Sequence, residues 1–196
     1  MADQMIQIRN IRHLVFMWLL CSLVVIISVD SAVGQRRDYM TEAEIELVRE
    51  NQDIDLRIDV LVKMIDRRFS LLGINSGGDE VKKKDADKWG EPPTGSSLEL
   101  FFDIRRLLEK AIDDIDVIAA RNNDALKQNK TEGDLFPKAV RKLEAAARRF
   151  LPLLSVASDK ARDEKERAHI LNSMQYCEQI IEAAATLPAP VKRTKS

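Results

Sequence analysis

Asp53-Ile54-Asp55-Leu56-Arg57-Ile58-Asp59-Val60 alternates polar and apolar residues. Strict alternation puts one set of side chains on one face of a strand. The same eight residues also suit a helix. There Asp53 meets Arg57, and Asp59 meets Lys63, four residues on, where opposite charges attract. The choice decides the fold class, and the rest of the chain makes it. No other stretch offers a strand to pair with, and a lone strand leaves its backbone N–H and C=O groups unmatched. The octet is therefore assigned to helix.

Working outward, it belongs to a helical segment expected from Thr41 to Leu72. Thr41 and Glu44 have capping-box spacing at its start, and Gly73 stops it. The stripe Ile54, Ile58, Leu61, Ile65, Leu72 follows helical spacing. A second expected helix, Ser97 to Lys127, opens on a Ser96/Glu99 capping box. Its stripe of Phe101, Ile104, Leu108, Ala111, Ile115 and Ile118, with Ala125 further on, steps by three and four like a heptad seam. A third starts near Phe136, with Pro137 in its first turn, and carries Val140, Leu143, Ala147, Phe150, Leu154 and Ala157. Pro152 predicts a kink or an end near Phe150. A fourth, capped by Ser158, is expected from Asp159 to Ala185, with Ile170, Met174, Cys177, Ile181 and Ala184 as its stripe.

Four one-sided stripes can close one core. The expected class is all-α, an antiparallel four-helix bundle preceded by an N-terminal signal or anchor helix. Short turns after the second and third helices predict antiparallel neighbours there. Residues 74–95, with Gly77-Gly78, Lys82-Lys83-Lys84 and Pro92-Pro93, are expected as a flexible linker, loose or functional, with Trp89 its one aromatic residue. The bundle domain is expected over 35–190, and 191–196 as a loose basic tail.

Residues 14–29 are uncharged and apolar, between Arg9, Arg12 and His13 and the small residues Ala32-Val33-Gly34. That is the layout of a secretory signal, with a cut before Gln35. The run of about 16 residues covers roughly 24 Å of a hydrocarbon core about 30 Å thick, short for a permanent span. Residues 1–34 are expected as a cleaved signal peptide or as an uncleaved membrane anchor. Either places the rest of the chain outside the cytoplasm, periplasmic or secreted. Any contact with membrane is through residues 14–29, if uncleaved.

The chain of 196 residues has a net charge of −1, with 32% charged and only 5% aromatic residues. So balanced a composition argues against nucleic acid as a partner, which needs a strong positive excess. After a cut, Cys177 is the lone cysteine and closes no internal disulfide. It lies on an apolar stripe and reads as a small buried hydrophobe. Glu166 and His169 have the Glu-x-x-His spacing of di-iron bundles, but no second histidine follows the signal to complete such a site. Met64 or Met174 with His169 as haem ligands is the minor alternative. Cys177 and His169 lie roughly 12 Å apart along a helix, too far for a nucleophile and its base. Asp113, Asp114 and Asp116 flank the seam and read as a solvated face. Asn129-Lys130-Thr131 fits a glycosylation sequon.

No catalytic, metal or cofactor residues are assigned, and no cofactor is expected. Leu56, Val60 and Met64 recur every four residues off the main stripe of the first helix. They are the candidate partner face, for another protein or a second copy. The expected role is an exported, non-enzymatic module acting through protein–protein contact. The alternative is the extracytoplasmic sensing or assembly domain of a membrane-anchored protein.

Overall fold

The computed structural model describes residues 37–78, 86–121 and 135–187. All regular structure among them is helical: α1 (Glu42–Glu50), α2 (Ile54–Leu71), the single turn α3 (Ala86–Trp89), α4 (Ser97–Arg121), α5 (Leu135–Lys160) and α6 (Glu164–Ala185). The expected signal or anchor at 1–34, the lysine run 82–84, the Asn129 sequon and the tail 191–196 lie outside the described residues. Among the described residues no helix is long and apolar enough to cross a membrane.

The decisive octet is helical, with Asp53 at the N-cap of α2. Its alternation has a tertiary cause. Ile54, Ile58 and Val60 are buried among the helices, and Asp55, also buried, faces lysines of α5. The pairs expected along the helix are replaced by others. Arg57 donates to Gln52 Oε1 and to the Asn51 carbonyl, and Asp59 pairs with Lys142.

The single helix expected from 41 to 72 is two helices. Asn51 Nδ2 donates to the Leu47 carbonyl at 2.7 Å, closing α1 from its side chain. Such local side-chain bonds compete with continued helix. Asn51 sits at φ −95°, ψ 87°, outside the helical region. The Thr41/Glu44 capping box forms as expected. Gly73 ends α2 in a Schellman motif: its N–H donates to Ser70 O, and Ile74 N–H to Phe69 O. Its φ of +71° is cheap only for glycine.

α5 passes through Pro152 without ending. The ring removes the bond to the Arg148 carbonyl, but both residues are exposed, so water can take that carbonyl. Phe150 and Leu154, both fully buried, hold the helix on either side. α5 therefore runs to Lys160, and Asp163 caps α6, accepting from Glu166 N–H at 2.9 Å. Ser158 is no cap.

The expected stripes supply most of the core, with Leu72, Ile118, Ala157, Met174 and Ile181 only half-buried at its edge. On α4, Phe101, Ile104, Leu108, Ala111 and Ile115 are buried, joined by Leu100 and Leu107. α5 contributes Phe136, Val140, Leu143, Ala147, Phe150 and Leu154; α6 contributes Ile170, Cys177, Ile180 and Ala184. α2 packs on α4 and α5, and α6 packs on the same two, while α1 lies on α2 and α3. The ion pairs give directions. Asp55 meets Lys138, Asp59 meets Lys142 and Asp66 meets Arg149, so numbers rise together and α2 runs parallel to α5. Ser97 with Glu166 and Phe102 with His169 make α4 parallel to α6. Arg68, late in α2, faces Asp103, early in α4, so those two are antiparallel. As expected from the short turns, α4 therefore runs opposite to α5 and α5 opposite to α6, while the packed pairs α2–α5 and α4–α6 are parallel. α4 is followed in sequence by α5 but touches it less than it touches α6. The stripes fix which faces are buried without fixing which helices share them.

Part of the expected linker is packed. Trp89 is buried, and Arg67 lies over its ring, 5.3 Å from the centroid. Arg67 also donates to the carbonyls of Trp89, Gly90 and Glu91. Arg149 donates to Ser76 O at 2.6 Å.

Candidate functional site

The expected partner face divides. Leu56 is 44% exposed, Val60 is 8% exposed and Met64 is fully buried. Only Leu56 faces outward, and no continuous apolar strip runs through the three. The reason is that α2 lies between α4 and α5, so two of its faces are covered.

Three other features stand out. The first is a buried ionic cluster. The Glu44 carboxylate is fully buried and accepts from Arg68 Nη2 at 2.7 Å, from Arg68 Nη1, and from Arg67 Nη1 at 2.8 Å. Arg68 is equally buried. Its Nη2 also donates to Tyr39 O at 2.8 Å, and its Nε, which makes no hydrogen bond, lies 3.7 Å from Asp103 Oδ2. Arg106 stands over the Tyr39 ring. Buried charges survive only when paired and hydrogen-bonded, and here the pairing joins α1, α2 and α4. The sequence signal was there: Arg68 falls three and seven residues beyond Ile65 and Leu61, on the apolar stripe itself.

The second feature is Asp55 with Lys138, Lys142 and Asp59. Burial raises the Asp55 pKa, but the two ammonium groups outweigh it and hold the carboxyl below its usual value. Both clusters consist of charges that neutralise one another.

The third is a cavity of about 270 Å³ where α4 and α6 end and α5 begins. Ile112, Ile115, Phe136, Val140, Leu143 and Ile180 supply apolar walls, and Asp116, Gln179 and Thr186 polar groups. By helix direction this is also the end that carries exposed Leu56 and Val117.

The metal and nucleophile candidates are placed as follows. Glu166 accepts from Ser97 Oγ at 2.8 Å. His169 packs edge-on to Phe102, and its Nδ1 is buried without a partner. Among the described residues no group of three or more His, Cys, Asp or Glu converges as a metal site. Met64 is buried and Met174 half-buried in the core. Cys177 is fully buried, and burial, with Glu178 adding, pushes its thiol pKa up to about 12. Asp113 and Asp116 are exposed, while Asp114 pairs with Lys110. No protein-family model, curated protein or solved structure matches this chain.

Proposed function

We propose that this chain is an exported, non-enzymatic helical module that works by binding another protein. We read its four long helices as a four-helix bundle, with α1 and α3 laid against it. The observation that carries the reading is the open apolar cavity between α4, α5 and α6. Among the described residues the buried charges pair with one another, and the cavity walls are mainly hydrophobic. Burying a leucine- or phenylalanine-sized side chain there yields about 1.5–3 kcal/mol, enough to anchor a partner.

Ala183 lines the cavity mouth and is exposed, so a large charged side chain there blocks entry without entering the core. Ala183→Arg should abolish retention of the partner by the tagged full chain. Leu71→Arg, at the exposed far end of α2, should leave it intact. Equal retention by native protein and both variants overturns the reading. N-terminal sequencing of the same preparation separates an exported protein starting at Gln35 from an anchored form keeping residues 14–29, the alternative role in a membrane assembly.

A further inference from the structure

At the other end of the helices, α1 lies against the arginines late in α2 and the short turn α3. α1 buries two side chains, Glu44 and Leu47. Among the helices it touches only α2 and α3. The four long helices pack on one another without it. Glu44 is held by Arg67 and Arg68, and Arg68 also takes the Tyr39 carbonyl. On its flank, Ala43 comes so close to Gly90 that a Cβ there would lie 2.9 Å from Ala43 Cβ, at a φ of +58°. The chain then leaves α1 through the non-helical residues Asn51–Asp53.

We propose that α1 is a releasable clasp, and that its seat of Arg67, Arg68, Trp89 and Gly90 takes the α1 of a second copy of this chain by exchange. An isolated helix of nine residues is marginal in water, so a released α1 unfolds and is ordered again only by docking. Release removes the Glu44 carboxylate from two guanidinium groups, and that cost keeps the clasp closed. The same cost makes an opened seat selective for a carboxylate on a helix. In cis α1 competes at an effective concentration of order millimolar, so an incoming native α1 takes the seat when the resident α1 alone is weakened. The seat lies at the opposite end from the cavity, and the inference does not depend on the function proposed there.

Leu47→Ala weakens α1 in cis while leaving Glu44 and both arginines. A labelled peptide of residues 38–52 is titrated with this full-chain variant and with native protein, read by fluorescence anisotropy. The peptide should bind the variant saturably and at least about 10-fold tighter than it binds native chain. The same peptide carrying Glu44→Gln should bind the variant at least about 10-fold more weakly. Ala43→Leu, which crowds Gly90 in cis while the peptide keeps its alanine, serves if Leu47→Ala does not fold. In native protein, amides of Ile45 to Glu50 should exchange with solvent faster than those of Ile104 to Leu108. No saturable binding, equal binding of both peptides, core-like protection of α1, or unfolding of both variants overturns the proposal.

Discussion

At Arg68 a charge occupies a place that helical spacing reserves for a leucine, and the fold brings Glu44 and Asp103 to it. The residue scale is where burial and ionisation meet, and two further positions make this measurable. Cys177 is fully enclosed, and a thiol held at about 12 carries almost no thiolate at neutral pH. Native protein should therefore be silent toward a thiol-reactive disulfide dye, and denatured protein should release one equivalent from this position. Full reaction within seconds in the native state would place Cys177 at the surface. His169 behaves differently. Burial, and then the nearby Arg105 charge, lower its pKa below 6.5. The unfolded chain then takes up a proton below pH 6.5 that the folded chain refuses, so the unfolded state binds more protons and stability falls as pH drops. The denaturation midpoint should fall between pH 7.5 and 5.5 in native protein and fall less in His169→Phe. A midpoint that rises on acidification would reverse the sign of the shift.

Elements were legible where one local signal had no competitor. The capping boxes at Thr41 and Ser96 both form, and Gly73 stops α2. Errors came where local and tertiary terms opposed each other. Asn51 breaks a helix that the apolar stripe alone would continue, because its side chain satisfies Leu47 O. Pro152 fails to break one, because Phe150 and Leu154 are anchored in the core. Pro152→Ala gives back the bond to the Arg148 carbonyl and removes the ring clash, so it should raise stability by about 1–3 kcal/mol in urea unfolding. An unchanged midpoint would mean that α5 already ends near Phe150. At the candidate face of Leu56, Val60 and Met64 local and tertiary terms meet in the same way. Helical spacing showed that α2 is apolar on two sides, but only the packing shows that α4 and α5 cover both.

At the scale of the molecule, all-helical character was readable, and helix arrangement was not. A stripe states which face is buried, while its partner is set by pairs far apart in sequence. The charges that alternated through Asp53 to Val60 are such pairs. Asp55 and Asp59 lie on α2 at a spacing that matches Lys138 and Lys142 on α5, and Asp66 extends the register to Arg149. Each half-exposed pair contributes little stability. Together they discriminate, because reversing α5 would set Arg149 opposite Asp55 and Lys138 opposite Asp66 but carry Lys142 away from Asp59, leaving that carboxylate without its partner. Carbodiimide coupling, which joins a carboxylate to an ammonium group only in contact, should link Asp59 to Lys142 and Asp55 to Lys138 in the native protein. Digestion and mass spectrometry identify the joined peptides. Products tying Lys138 or Lys142 to Asp66 would mean that α5 runs antiparallel to α2, and the register drawn from these charges would fall with it.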